Sequence, residues 1–441
     1  MAEDIDAPFL GVERSVTGKR WQTRLKDERL ATALAQRFEL HDVVARVLAA
    51  RDVQLDDAAL FLNPTLKNML PDPAHLLDME PAVGRLTRAI YDGETVGVLG
   101  DYDVDGATSS ALLVKFFAAL GQTVPVYIPD RQNEGYGPNL PALLKLKEQG
   151  ASVVITVDCG TTAYDPLEAA AGAGIEIIVV DHHVAEPRLP TGSLVINPNR
   201  ADEDSPCGQL AAVGVTFLLL VALNRALRDA SWYGETYSEP NLLSFLDLVA
   251  LGTICDVVPL TGVNRALVTQ GLKVLARRGN PGITALADVA KVDKPLDAYH
   301  AGFVLGPRVN AGGRVGDSGL GVRLLTTQDT SEARAVAQLL DQVRVRLEDA
   351  DQQRWVRGAR HVAHTQVRRD LLDGRVRRQR HLPAPHGEHV VGADARCRER
   401  LRVLQHLPVV QDQLLVDRHA ELHLQNRLHI LDRLARVHLD L

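Results

Sequence analysis

The chain of 441 residues carries 49 Lys and Arg against 56 Asp and Glu, a formal net charge of −7 at pH 7. It is too long for one ordinary domain, has no apolar run near the ~20 residues of a membrane span, and lacks the basic excess typical of nucleic-acid binders. Four widely spaced cysteines without a CxxC pair argue against a disulfide framework and a thiolate zinc site. An N-terminus without an apolar signal core predicts a cytoplasmic protein.

The first 90 residues are predicted to form an N-terminal helical cap, because apolar residues recur at helical spacing in LATALAQRF and VVARVLAAR. From residue 95 the pattern changes to short apolar runs that alternate with helical stretches. The predicted strands are TVGVLG, TVPVYIP, ASVVITV and GIEIIVV, and the helix after the first strand is ATSSALLVKFFAALG. Val and Ile runs separated by helices indicate βαβ units, so residues 91–262 are predicted to be α/β with a doubly wound parallel sheet.

Helical patterns continue beyond this sheet, at about residues 207–227 and 241–251. Residues 263–300 are predicted to be a helical linker. A glycine-rich region, FVLGPRVNAGGRVGDSGLGVRLL, then opens a second, smaller α/β domain, for which we expect residues 301–353.

The last 88 residues, from Arg354, have a different composition. They contain ten of the fifteen histidines and 17 arginines, with no Lys, Ser, Phe, Tyr or Met. Residues 354–441 could be a solvated basic appendage. A stretch read in a shifted frame, or joined in error, fits the composition better, because a third domain would need aromatic and apolar core residues.

Three predicted strands end in acidic residues. The carboxyl ends of parallel strands meet at one edge of a sheet, so their side chains should converge on one crevice. One Asp after a strand is ordinarily a turn residue or helix N-cap, but three successive strands with this ending indicate a site. An Asp after a later helix could close the cluster from the side. The candidates are Asp101, Asp103, Asp105, Asp158, Asp181, His182, His183 and Asp256.

So many carboxylates in one crevice would repel one another unless cations lay among them. Carboxylate oxygens with one or two imidazoles and no thiolate suit Mn²⁺ or Mg²⁺ better than structural zinc. The number of ligands exceeds what one ion needs. We therefore expect two divalent cations, roughly 3.5–4 Å apart, with a bridging carboxylate and a role in the attack of water on a phosphate.

Other phosphate motifs are missing from the sequence. It contains no GxxxxGK[ST] P-loop and no strand-borne GxGxxG, which disfavours Walker-type nucleotide hydrolysis and dinucleotide binding. The glycine-rich PRVNAGGRVGDSGLG is either a surface loop or a phosphate clamp with Arg308 and Arg314 as planar donors.

The ordered motifs resemble the DHH phosphoesterase superfamily and, within it, the RecJ exonuclease family. The resemblance covers roughly residues 15–350, and the GYG segment with the N-terminal extension favours RecJ over shorter relatives. The motifs that carry it are VLGDYDVDGATSSALL, VVITVDCGTTA, VVDHH, LGTICDVVPL, GPRVNAGGRVG and IPDRQNEGYGPN.

The resemblance implies a role for each matching residue. Asp103 and Asp158 would hold one ion, and Asp158 would bridge to a second ion held with Asp105, His182 and Asp256. Asp101 would be a ligand or support one, and His183 would orient the scissile phosphate or the attacking hydroxide. The implied substrate contacts are Arg131, Tyr136 of the GYG segment, Arg308, Asn310 and Arg314.

The resemblance also implies 5′-to-3′ removal of mononucleotides from single-stranded DNA in repair and recombination, by a monomer that could act with a single-strand-binding protein or a helicase. Residues 301–353 would be part of a DHH-associated domain. The family's later phosphate pocket and OB-type domain are not legible here. Two alternatives stay open: a phosphoesterase for short oligonucleotides, cyclic dinucleotides or pyrophosphate, and an inactive DNA-binding scaffold.

Overall fold

The computed structural model describes residues 8–131, 133–314 and 317–349. None of the helices in these ranges is long and apolar enough to cross a bilayer. A further helix begins at residue 330. The helices before it are α1 Glu28–Phe38, α2 Asp42–Ala49, α3 Ala58–Leu62, α4 Leu66–Met69, α5 Met79–Asp92, α6 Val104–Ala119, α7 Leu140–Glu148, α8 Tyr164–Gly172, α9 Ala212–Asp229, α10 Leu246–Cys255, α11 Gly262–Leu275, α12 Pro281–Val289, α13 Gly306–Gly312 and α14 Leu320–Thr326. Short 3₁₀ turns lie at Phe9–Gly11, Pro73–His75 and Leu242–Phe245, and a π-helix at His300–Leu305.

The central sheet is parallel throughout, which confirms the predicted doubly wound α/β fold. Its five strands have the order β2-β1-β3-β4-β5. The strands are β1 Thr95–Gly100, β2 Val126–Tyr127, β3 Ala151–Val157, β4 Glu176–Val180 and β5 Ser193–Ile196. The sequence did not predict β5, because four residues between two turns are too short to carry a periodic signal.

The strand order creates a topological switch point between β1 and β3. From β1 the chain crosses to β2 on one side of the sheet, and then to β3 on the other side. In open α/β sheets a crevice forms outside the carboxyl ends of the strands at such a point. The register places Gly100 opposite Val157, and Val157 opposite Val180. Residues that follow β1, β3 and β4 therefore leave the sheet side by side.

Buried helices form the second layer behind this crevice. Helices α6, α9 and α10 pack against one another, and α11 packs on α10. A Cβ at Gly271 in α11 would lie 2.2 Å from the carbonyl oxygen of Leu246, so only glycine allows this close helix crossing. The residues predicted as a linker thus pack into the core.

Residues 301–340 belong to the same compact unit as the sheet, which extends over Met1–Leu340. Helix α14 packs on α6, with Leu320 and Leu324 buried. Among the described residues from 301 onward there is no strand, so the separate α/β domain predicted from this point is not seen there. The apolar residues of GLGVRLL form the buried face of helix α14, so this segment is a helix and not a strand. A second unit begins at Asp341, and the tail predicted to be anomalous, 354–441, lies outside the described residues.

The N-terminal helices α1 to α3 share an apolar core of their own, with Leu34 and Leu48 buried in it. Helix α5 packs on α9 and leads directly into β1. Between Glu28 and Asp92 the regular elements are all helices, whereas residues 12–27 contain none.

Candidate metal centre

The three strand-end acids form a row along the carboxyl edge of the sheet. The backbone N–H groups of Asp101, Asp158 and Asp181 donate to the last carbonyl of the neighbouring strand, at 3.2, 3.0 and 3.1 Å. Each strand pairing thus extends one residue beyond the strand. This arrangement fixes the three backbones next to one another at the switch point.

The acids of GDYDVDG do not stay on a strand. Helix α6 begins at Val104, earlier than the predicted start, so Asp103 is its N-cap and accepts a hydrogen bond from the Gly106 N–H at 3.0 Å. Asp105 lies in the first turn. A Cβ at Gly106 would be 2.4 Å from the carbonyl oxygen of Asp101, so this glycine lets the helix begin directly against the strand end. The tight turn directs the acids into the crevice.

The Asp105 side chain, from α6, faces the N-terminus of helix α9. Its two carboxylate oxygens accept hydrogen bonds from the N–H groups of Ala212 at 2.7 Å and Val213 at 2.9 Å. The positive end of the helix dipole stabilises the ionised form. Burial and the charge of Asp103 nevertheless outweigh these bonds and raise the pKa of Asp105 to about 7.

Asp158 is the centre of the cluster. It is buried and has a left-handed backbone with φ 61°, which turns its side chain into the crevice directly after β3. The Tyr136 hydroxyl donates to its carbonyl oxygen at 3.2 Å and secures this turn. Burial raises the pKa of Asp158 well above its ordinary value, and the charges of Asp105 and Asp103 raise it further.

The His182 imidazole closes the cluster from the neighbouring strand. Its Nε2 atom lies 3.3 Å from an oxygen of Asp158, 3.7 Å from Asp256 and 3.9 Å from Asp105. Asp256 caps the C-terminus of α10, and burial together with the charge of Asp105 raises its pKa to about 7. Neither His182 Nε2 nor Asp256 Oδ2 has a hydrogen-bond partner among the described residues, although both are buried. Two convergent buried atoms without partners fit a cation between them.

Asp181 and His183 form a separate pair beside the cluster. One Asp181 oxygen accepts from His183 Nδ1 at 2.7 Å, and the other accepts from the Thr161 N–H at 3.1 Å. Burial raises the pKa of Asp181, but the hydrogen bonds from His183 and Thr161 have the larger combined effect and lower this pKa to about 2. The bond to Asp181 raises the pKa of His183 to about 8. Asp181 thus positions the exposed His183 ring.

The possible ligand atoms fall into three overlapping groups, within each of which the atoms lie within 4.8 Å of one another. Asp158 belongs to two groups and His182 to two, so the groups share ligands. Carboxylate oxygens and imidazole nitrogens without thiolates fit Mn²⁺ or Mg²⁺. The groups are Asp101 with Asp103 and Asp158, Asp105 with His182 and Asp256, and Asp158 with His182 and His183.

The residues expected to contact the substrate differ in their exposure and in their neighbours. Arg131 lies over the Tyr102 ring, 4.8 Å from its centroid, and Tyr136 is 57% exposed beside the cluster. Asn310 has an amide oxygen without a hydrogen-bond partner in the described part of the chain, and Arg314 follows α13.

Arg308 is placed differently from the expected clamp. Its side chain is buried, and Nη1 donates to the carbonyl of Val304 at 2.6 Å, within its own helical segment. The glycine-rich element is helical at Gly306–Gly312 instead of an open loop. A buried guanidinium that bonds its own backbone is poorly placed for a phosphate.

Sequence reasoning missed several supporting groups. Asn197 donates to the carbonyl oxygen of His183 at 2.9 Å, and Asn199 donates to that of His182 at 2.6 Å. These amides fix the backbone of the DHH triplet. Their signal was available, because INPN repeats the pattern of polar residues directly after a strand.

The family described as "DHH family, N-terminal domain" matches residues 95–253. The fold and the site therefore define an α/β protein of the DHH class. The single-stranded-DNA-specific exonuclease RecJ of Escherichia coli K12 is 38% identical over 376 residues, which are 84% of this chain and 63% of that relative. The chain thus spans less than two thirds of this relative's length.

Solved structures give the same grouping. The crystal structure of exonuclease RecJ bound to manganese has 35% sequence identity to this chain and a TM-score of 0.56. The match covers 63% of this chain and 68% of the RecJ chain. RecJ from Thermus thermophilus in complex with Mn²⁺ has 31% sequence identity and a TM-score of 0.62. This match covers 75% of this chain and 46% of the Thermus chain. The chain belongs to the RecJ family.

Proposed function

We propose that the chain is a metal-dependent exonuclease that removes mononucleotides from single-stranded DNA in the 5′-to-3′ direction, in repair and recombination. The observation that carries this proposal is the convergence of buried carboxylates and His182 around Asp158. The names of the relatives, which are single-strand-specific exonucleases, support the substrate class. The manganese in the related structures supports the cofactor, two Mn²⁺ or Mg²⁺ ions.

The ligand assignment follows two of the three groups of atoms, Asp101 with Asp103 and Asp158, and Asp105 with His182 and Asp256. Asp103 and Asp158 hold one ion, with Asp101 as a further ligand or support. Asp158 would be shared with a second ion, for which Asp105, His182 and Asp256 would be the other ligands. The support for a bridge is that Asp158 lies close to both Asp103 and His182.

When bound, two such ions polarise a scissile phosphate and lower the pKa of an attacking water. The chain's own residues orient the reactants. His183, whose pKa is raised to about 8, carries a proton at neutral pH and offers Nε2–H to a phosphate oxygen, because Nδ1 is engaged by Asp181. Its side chain is half exposed and so is accessible to a substrate.

Polar groups at the rim of the crevice bind the strand. Arg131 is exposed and presents a planar donor, and Tyr136 offers a ring for stacking. Asn310 and Arg314 are proposed to contact the strand from the other side. The protein would act as a cytoplasmic monomer, and a single-strand-binding protein or a helicase would supply its substrate.

The experiment compares long single strands with dinucleotides at the same Mn²⁺ concentration. We expect Mn²⁺-dependent release of mononucleotides from the 5′ end of long strands, with loss of activity in Asp158→Asn. Asp52→Asn is the matched control, because Asp52 also has a positive φ, 59°, and lies at the surface. Exclusive cleavage of dinucleotides would contradict the proposal and favour the short-substrate alternative. Strand binding without cleavage would favour the inactive scaffold.

A further inference from the structure

Tyr102 lies between two acids of the metal centre, Asp101 and Asp103, and is neither a proposed cation ligand nor a proposed substrate contact. Its backbone is fixed on both sides. The Asp101 N–H donates to the carbonyl oxygen of Val157, and the Asp103 side chain caps α6 through Gly106. Its ring position therefore depends on the same short segment that carries two proposed ligands.

One face of the Tyr102 ring supports Arg131. The guanidinium carbon of Arg131 lies 4.8 Å from the ring centroid, a distance at which cation–π attraction is effective. Within the described part of the chain, Arg131 forms no ion pair, and its side chain is exposed. The ring is thus the contact that orients the planar donors of Arg131, which would otherwise move freely on a long side chain.

Other contacts prevent the ring from moving away from Arg131. The Tyr136 ring meets it edge to face, with 6.5 Å between centroids. Gly313 packs against it so closely that a Cβ there would lie 2.9 Å from both the Cβ and the carbonyl oxygen of Tyr102. These contacts keep the Tyr102 ring beside Arg131.

We infer that Tyr102 is a positioning residue that couples the cation site to Arg131, the proposed phosphate contact. The hydrogen bonds of Asp101 and Asp103 fix the backbone of Tyr102, and the fixed ring holds the Arg131 guanidinium in place for a substrate phosphate. This inference rests on the proposed function, because it assigns Arg131 to a phosphate of the bound strand. It requires an aromatic ring at position 102 but no hydroxyl group.

A double-mutant cycle between Tyr102 and Arg131 tests the inference. The variants are Tyr102→Leu, Tyr102→Phe, Arg131→Ala and the double variant Tyr102→Leu with Arg131→Ala. Two quantities are measured for each: the KM and kcat for a single-stranded oligonucleotide in Mn²⁺, and the Kd for the same labelled strand in Ca²⁺. Mn²⁺ binding by calorimetry checks that the metal centre is intact. Tyr164→Leu is the matched control, because Arg188 lies over the Tyr164 ring at 4.5 Å in a pair outside the metal centre.

We expect Tyr102→Leu to raise KM and Kd about fivefold with kcat little changed, in line with the strength of a cation–π contact. Tyr102→Phe should stay within about twofold of the wild type, because it keeps the ring. The double variant should be no weaker than Arg131→Ala alone, since the ring acts only through the arginine. All variants should bind Mn²⁺ as the wild type does.

Three results would overturn the inference: wild-type affinity in Tyr102→Leu, additive losses in the double variant, or loss of Mn²⁺ binding in Tyr102→Leu. The last would mean that Tyr102 only maintains the metal centre. A wild-type chain that binds the strand but does not cleave it would reject the proposed function, while the Kd values would still decide on Tyr102. A wild-type chain that does not bind the strand would reject both.

Discussion

Asp158 combines three features that are unfavourable without a ligand. It is buried, its backbone is left-handed at φ 61°, and burial together with neighbouring carboxylates raises its pKa. Strain and like-charge repulsion of this kind persist where function requires them. The residue is therefore expected to destabilise the metal-free fold and to be essential for cation binding.

Replacing Asp158 by Asn should separate these two effects. Asn tolerates a left-handed backbone and removes the repelled charge, so the metal-free protein should become more stable by about 1 kcal/mol. The rise in melting temperature that Mn²⁺ gives the wild type should disappear. Thermal unfolding with EDTA and with Mn²⁺ measures both, with Asp52→Asn as the control. A metal-free variant less stable than the wild type would contradict this account of the site.

The pH dependence follows from the raised pKa values of Asp101 and Asp256, both about 7 against an ordinary 3.8. The folded metal-free protein holds these protons more tightly than the unfolded chain does. The resulting stabilisation is complete below about pH 4 and is lost as the pH rises through about 7. Cations compete with the same protons, so they bind better above this range.

The stabilisation by Mn²⁺ should therefore grow with pH. We expect a small Mn²⁺-induced rise in melting temperature at about pH 5.5 and a rise of roughly 5 °C at about pH 8, with Mn²⁺ about 100-fold above its Kd. Differential scanning fluorimetry across this range measures the effect. Equal shifts at both pH values would show that the cation does not displace these protons.

The absence of a side chain at Gly106 lets helix α6 approach the end of β1 closely. Gly106 lies in the first turn of α6, where a Cβ would meet the backbone of Asp101 at 2.4 to 2.7 Å. Gly84 lies in α5 with nothing within 4 Å of a Cβ. The two positions are both helical and differ in what surrounds them.

The substitutions Gly106→Ala and Gly84→Ala should have opposite effects. Gly106→Ala should destabilise the protein by about 2 kcal/mol or more and weaken Mn²⁺ binding, because the first turn of α6 must move away from the strand end. Gly84→Ala should stabilise it by about 0.5–1 kcal/mol, the ordinary gain of alanine in a helix. Urea unfolding of both variants provides the measurement. Equal effects would mean that the close approach at Gly106 is not a constraint.

The sequence predicted the elements whose patterns are local. Runs of Val and Ile marked β1, β3 and β4, and the acids directly after them marked the edge of the sheet, as observed. The start of α6 was missed because VDG is typical of a turn, and only tertiary packing against Asp101 selects the helix. The glycines near Gly313 suggested a flexible loop, yet they permit close packing against Tyr102. The contacts of Asn197 were missed although INPN carries the polar signal, because β5 has no periodic signal and was not recognised as the strand before it.

Every proposed ligand lies between residues 101 and 256, inside the compact unit Met1–Leu340. The chain covers 63% of the length of the E. coli relative. The residues that bind cations can therefore be tested separately from those that the proposed exonuclease activity requires. The proposed ligands lie on the sheet edge and on helices α6 and α10, and helix α9 contacts one of them, Asp105.

A chain shortened after residue 353 should therefore keep its cation site. We expect its Mn²⁺-induced rise in melting temperature to match that of the full chain within about 1 °C, since all ligands are retained. The measurement is the same fluorimetry at about pH 8. Loss of the Mn²⁺ effect would mean that residues beyond 353 are needed to form the site.

The proposed metal centre holds two cations with Asp158 as the shared ligand. Anomalous diffraction at the manganese edge, from crystals grown with Mn²⁺, tests it most directly. We expect two anomalous peaks about 3.5–4 Å apart, with an Asp158 oxygen contacting each and with Asp103 and His182 on opposite sides. A single peak, or two peaks of which only one contacts Asp158, would contradict the claim.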